Sequence, residues 1–166
     1  GNRGSETCVS PPATGPRVIG VGGTTEGGCL GDYALPGKGI DLLAPGGGLP
    51  VAGCPSVSAR PIYQVTLRAG STRSFGIPSN YVGTSMAAAH VSGLAALVLA
   101  ADTYGGPRFK PEPPQAGKIR VQEVAQHLRK TARSLGLPKN QQGAGLIDAA
   151  AATAPRGPVA TPRSAR

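Results

Sequence analysis

The stretch YVGTSMAAAHVSG, Tyr81 to Gly93, decides how this chain is read. A Gly-Thr-Ser step leads straight into alanines, and residues Met86 to Ala101 are apolar or small on almost every side. That pattern predicts a helix buried within a larger body and covered all round, rather than one with a wet face. Ser85 then stands where the chain enters the helix, so the first-turn N–H groups and the positive end of the dipole face any negative charge formed there. A hydroxyl is a weak nucleophile until a base takes its proton, and a catalytic serine needs donors for the oxyanion it creates. Ser85 has the right place for that chemistry. The same place also suits a simple N-cap, because Ser and Thr are favoured there for their own hydrogen bonds.

Composition bounds the rest. A chain of 166 residues fits one domain or part of one, with enough apolar residues for a modest core. Gly (26) and Pro (17) are abundant, aromatics are scarce and Trp is absent, which favours close packing of small residues and many tight turns. The formal charge is +9, from 17 Lys and Arg against 8 Asp and Glu, concentrated between Arg108 and Lys139 and at Arg156, Arg163 and Arg166. Without interleaved aromatics it matches no single-strand nucleic-acid platform and reads as a solvated basic surface, so no nucleic-acid partner is expected. The three cysteines, Cys8, Cys29 and Cys54, show no metal-ligand spacing, and one disulfide plus a free thiol fits them. The longest apolar stretch, Val91 to Ala101, is too short to span a bilayer, so no membrane segment is expected. The chain does not open on Met or on a basic, apolar leader, and its start reads as cut.

Along the chain, Arg17 to Thr25 (RVIGVGGTT) and Ile40 to Ala44 (IDLLA) are short apolar runs bounded by Pro and Gly, as expected of buried parallel strands. Ala59 to Leu67 is a third candidate strand, restricted by Pro61. Asp102 to Gly117, with four prolines, reads as a surface excursion. From Arg120 to Leu135, apolar residues recur at i, i+3, i+4 and i+7 opposite a charged face, predicting a peripheral amphipathic helix. The segment Gly143 to Ala152 (GAGLIDAAAA) is expected to begin a short final helix capped by Asp148, and Thr153 to Arg166 is a disordered Pro/Arg/Ala tail. The domain is thus expected over residues 1–152 and the tail over 153–166.

GTSMAAAHVSGLAAL, Gly83 to Leu97, resembles the serine-nucleophile signature of the subtilisin-like serine peptidases, GTSMAxPHVxG, in which the third position is the catalytic Ser. The likeness extends over most of the chain. Gly1, Asn2, Arg3 and Gly4 are similar to the family's GNxG oxyanion segment, and PRVIGVGGTT to its next core strand. GDYALPGKGIDLLAPGG resembles the stretch ending in LDVxAPG, and QGAGLIDAAAA the closing GxGLIxAxxA. Ala89 departs from the pattern, standing where the signature has Pro, and Gly46 to Arg60 and Asp102 to Gly117 look like insertions.

The resemblance implies an α/β, subtilisin-like three-layer fold with a mostly parallel sheet, of which this chain is the C-terminal half. It implies a serine endopeptidase in the whole parent protein, with Ser85 as nucleophile and the Asn2 amide plus the Ser85 backbone N–H as the oxyanion hole. In this family the triad runs Asp, His, Ser along the chain, yet no histidine precedes Ser85. His90, five residues later on one helix, points about 140° away from Ser85 and is given a packing role. His127 is placed among polar neighbours as a solvated histidine, Asp41 as a structural aspartate, and Asp32 outside the triad.

The base therefore lies upstream, the N-terminal half of the same domain is the implied partner, and the chain alone is expected to be inactive and poorly soluble. Polypeptide substrates and an extracellular or cell-envelope location are implied as well. No cofactor is implied for the chemistry; calcium in the whole parent is compatible with the family, although few acidic residues cluster here. Two other readings are a non-catalytic subtilisin-like binding module and a basic polyanion binder.

Overall fold

The computed structural model describes residues 1–2, 9, 11–34, 36–56, 58–100 and 121–154. Two apolar runs form the parallel pair the sequence predicts. Strand β1 (Val21–Thr24) lies beside β2 (Leu42–Pro45), with Val21 opposite Leu42 and Thr24 opposite Pro45. Alternation along β2 sends Leu42 and Ala44 to one face and Leu43 to the other, and all three are fully buried.

The Gly-Thr-Ser step opens helix α1 (Thr84–Ala100), which packs on β1 and β2. Helices α2 (Val121–Thr131) and α4 (Ala149–Thr153) pack against α1 and each other, with a short α3 (Lys139–Gln142) between them in sequence. The core runs from Leu42 and Ala44 through Ala87, Val91, Leu94 and Val98 of α1 to Val124 and Leu128 of α2 and Ala152 of α4. Full burial of a leucine such as Leu42 or Leu128 stabilises by about 1.5–3 kcal/mol over leaving it in water. The architecture is α/β, a parallel strand pair covered by helices.

Several expectations need correction. Helix α1 is not covered all round: Thr84, Ala87, Val91, Leu94 and Val98 make one buried stripe, while Leu97 and Leu99 stay 57% and 43% exposed. Composition marked every side as apolar, but the described elements cover only one. The third strand shrinks to β3 (Thr66–Leu67), antiparallel to β4 (Phe75–Gly76) and separate from the β1–β2 pair. Pro61 keeps the start of that run out of a ladder.

Gly143 and Ala144 make a turn after α3 and Gly145 to Ile147 run extended, so within Gly143 to Ala152 only the alanines behind the Asp148 cap are helical. Leu43 donates its N–H to Gly145 O (2.8 Å) and accepts through its own carbonyl from Ile147 N (2.9 Å), so Gly145 to Ile147 extend the sheet beside β2. Gly143 and Gly145 have φ of +59° and +125°, and Gly145 lies against the Arg133 backbone, where a Cβ has no room. The helix waits for the alanines, and Asp148 Oδ1 caps it by accepting from Ala151 N at 2.8 Å. Helix α2 ends four residues before Leu135 because Arg133 exchanges both backbone bonds with Leu146 (2.8 and 2.9 Å).

Cys29 and Cys54 form a disulfide with Cα atoms 6.2 Å apart. Cys8, the Asp102 to Gly117 excursion and the tail from residue 155 lie outside the described residues. Among the described residues no helix is long and apolar enough to cross a membrane.

Candidate active site

The carboxyl ends of β1 and β2 build the turn that carries Ser85. Past β2 the chain becomes Gly46–Gly48, and Thr24 O accepts from Gly46 N (2.8 Å) and Gly47 N (3.1 Å). Gly46 O in turn accepts from Gly83 N at 2.9 Å, so the strand ends fix the residue two positions before Ser85. Below this loop lies the half-buried ring of Tyr33, whose hydroxyl donates to Gly47 O at 2.9 Å. Gly46 and Gly48 both approach that ring, and side chains there would collide with it. Burial, then the nearby charge of Asp32, push the Tyr33 phenol up to about 12.

Gly83 has φ +136°, and its O accepts from Met86 N and Ala87 N at 3.2 and 3.4 Å, closing the first turn of α1. A Cβ on Gly83 would sit 2.8 Å from Asn2 Nδ2, so glycine is what lets the asparagine approach. Asn2 Oδ1 accepts from the Thr84 N–H at 2.8 Å and from the Thr84 hydroxyl at 2.7 Å. The first residues of the chain and the start of α1 thus meet across 82 positions of sequence. Thr84 is buried, whereas Ser85, next to it, is exposed at the helix N-terminus.

The two histidines have other partners. His90 Nδ1 lies 2.8 Å from Met86 O, and since a carbonyl only accepts, the proton is on Nδ1. His127 is not solvated as expected: it is half-buried, with Nε2 2.9 Å from Ala152 O, linking α2 to the end of α4. The periodicity placed it on the polar face of α2 but could not show that α4 packs there. Asp41 is structural, accepting from Gly20 N at 2.8 Å through Oδ2 and pairing with Arg129 Nη2 at 2.9 Å through Oδ1. Two residues were missed by sequence reasoning. Thr84, which holds Asn2, was visible as the middle of the Gly-Thr-Ser step; Tyr33 carried no local signal at all.

A cleft of about 700 Å³ lies beside the strand ends, lined by Thr25, Arg60, His90 and Arg133 among others, but neither Asn2 nor Ser85 lines it. Among the described residues no three His, Cys, Asp or Glu side chains are grouped to hold a metal ion. The arrangement is an exposed hydroxyl at a helix N-terminus, with an anchored side-chain amide beside it. An exposed hydroxyl and nearby N–H donors are among the parts that acyl-transfer chemistry uses.

Comparison with known proteins agrees. Residues 1–145 match the subtilase family of peptidases, and the chain belongs to that family. It is 32% identical over 153 residues to Subtilisin BL of Lederbergia lenta, covering 92% of this chain and 44% of the relative. It is 33% identical over 154 residues to an extracellular protease of Xanthomonas campestris, 22% of whose length is matched. A solved protease structure from Pseudoalteromonas arctica superimposes with a TM-score of 0.57 at 31% identity, over 87% of this chain and 37% of that one. The chain therefore spans less than half the length of these relatives.

Proposed function

We propose that this chain is the nucleophile-bearing half of a serine endopeptidase domain, with Ser85 as nucleophile and the Asn2 amide and Ser85 N–H as the oxyanion hole. The observation that carries the reading is the pair of bonds from Thr84 to Asn2 Oδ1. With its oxygen held by two donors, the amide has its Nδ2 hydrogens left to donate, and a developing alkoxide is what such donors stabilise. Exposure of Ser85 leaves it open to a polypeptide carbonyl, and its own N–H is one of the first-turn groups for which an α-helix supplies no intrahelical acceptor.

In this reading Ser85 attacks the scissile carbonyl and forms an acyl-enzyme, releasing the amine, and water then frees the acid product. The proton from Ser85 goes to a histidine oriented by an aspartate, both contributed by the segment that precedes Asn2 in the family. The substrates are polypeptides, the chemistry uses no cofactor, and the complementary half of the domain packs on the uncovered stripe of α1. Its extracellular or cell-envelope location is supported by the Cys29–Cys54 disulfide and by the extracellular relative.

The test is a fluorophosphonate. In the whole domain, this chain preceded by the Asp- and His-bearing segment, it should label Ser85, and Ser85→Ala should abolish both labelling and peptide hydrolysis. Equal hydrolysis by Ser85→Ala would remove the reading. This chain by itself should neither label nor hydrolyse.

A further inference from the structure

The ribbon of β3 and β4 wears its alternation inside out. Tyr63, Val65, Phe75 and Ile77 are 71%, 70%, 64% and 63% exposed, and Leu67 43%. The residues between them, Gln64, Thr66 and Gly76, are half-buried. On a half-covered ribbon the apolar set normally faces the body and the polar set faces water. The register puts Leu67 opposite Phe75 and Thr66 opposite Gly76, which carries Val65 opposite Ile77. Exposed side chains at i and i+2 on paired strands share one face, so these residues form a continuous apolar strip.

Two further observations point to its occupant. From Ala59 to Asn80 the sequence holds Arg60, Arg68 and Arg73 and no Asp or Glu; Arg60 is paired with Glu26 at 3.4 Å, which leaves Arg68 and Arg73 as the ribbon's own charges. Arg68 and Arg73 are exposed near the turn between the strands. The base of the ribbon is tied to the site: Ile62 N donates to Tyr81 O at 2.9 Å, four residues before Ser85. Four extended residues reach at most about 14 Å.

We propose that the outer face of the β3–β4 ribbon is a docking surface for the substrate polypeptide, outside the bond being cut. It selects segments that combine apolar side chains with Asp or Glu. The apolar side chains cover Val65, Ile77 and their neighbours, and the carboxylates meet Arg68 and Arg73. The surface rests on the peptidase reading of Ser85.

A fluorescein-labelled peptide of alternating Glu and Leu, offered to the whole domain as its Ser85→Ala variant, measures docking apart from cleavage. The double change Val65→Thr and Ile77→Thr keeps β-branched side chains and should weaken binding about tenfold per apolar group removed. Arg73→Glu should weaken it too, and added salt should weaken binding to the unmodified ribbon. Hydrolysis of a short chromogenic peptide by the Val65→Thr, Ile77→Thr domain with Ser85 intact should be unchanged, which also reports correct folding.

Unchanged peptide affinity in both ribbon variants overturns the proposal. So does a ribbon already covered in the free domain, whether by the complementary half or by a second copy, seen as Tyr63 protected from aqueous quenchers. Binding to phosphatidylglycerol vesicles with none to the peptide makes the strip a membrane surface and overturns it as well. If the unmodified domain neither labels with fluorophosphonate nor cuts the short peptide, it is the role of Ser85 that fails, and the anisotropy result is unaffected by that failure.

Discussion

Asn2 and Thr84 are joined twice: one carboxamide oxygen accepts from the Thr84 N–H at 2.8 Å and from its hydroxyl at 2.7 Å. One residue beyond Thr84 is Ser85, so anything that loosens this pair misplaces an amide beside the hydroxyl proposed to react. Thr84→Val keeps the shape and the backbone bond but deletes the hydroxyl donor. A neutral hydrogen bond contributes about 0.5–1.5 kcal/mol, so turnover in the whole domain should fall up to about tenfold with KM little changed. Steady-state kinetics on a short peptide would show it.

Removing the amide altogether should cost more. Asn2→Leu is expected to lower kcat by about 10² to 10³, the value known for the oxyanion asparagine of a subtilisin itself. Fluorophosphonate labelling should persist, more slowly, because the nucleophile remains. A kcat equal to that of the unmodified domain would take Asn2 out of the oxyanion hole.

Gly83→Ala tests why a glycine stands there. Its φ of +136° and the 2.8 Å from a Cβ to Asn2 Nδ2 combine backbone strain with displacement of the amide. In the whole domain the variant should lose both stability and turnover.

The Cys29–Cys54 bridge closes a sequence separation of 25 residues. Replacing both cysteines by serine should lower the unfolding free energy by about 3.5 kcal/mol on the chain-entropy relation. Urea melts of the whole domain, with and without reductant, give the comparison.

Alkaline pH should weaken the fold through Tyr33. Its phenol is raised to about 12 by burial and by Asp32, against about 10 in the unfolded chain. Between those values the unfolded state releases a proton that the folded state keeps, so stability present below pH 10 is lost as pH rises toward 12. Tyr33→Phe should be less stable at pH 7, having lost the bond to Gly47 O, yet should show a flatter stability profile above pH 10.

The uncovered stripe of α1, with Leu97 57% exposed, predicts that the chain alone aggregates and binds apolar dyes. Addition of the complementary half should suppress both; a soluble, cooperatively unfolding monomer would contradict this.

Much of this was written locally. The Gly-Thr-Ser step and the alanines behind it place Ser85 at a helix N-terminus, because small residues and a long apolar run leave few other conformations. The runs ending in GGTT and LLAP are short, apolar and bounded by breakers, and they pair in parallel as expected. Asp148 reads as a cap and is one. These features depend on neighbours within a few residues, and such neighbours are visible in a string.

What tertiary structure decided depends on distant partners. Leu146 became a rung between Leu43 and Arg133 because both, distant in sequence, bond to the backbone of its segment. His127 became a link to Ala152 because α4 happens to pack there. Asn2 met Thr84 only because β1, β2 and the Gly46–Gly83 bond bring the two ends of the segment together. By itself the sequence determined the helix that opens at Ser85 and the parallel pair, both products of short-range sterics and periodicity, and its motifs carried the family likeness. Folding alone decided which polar groups were brought within 3 Å, because a hydrogen bond reads position in space and not position in the chain.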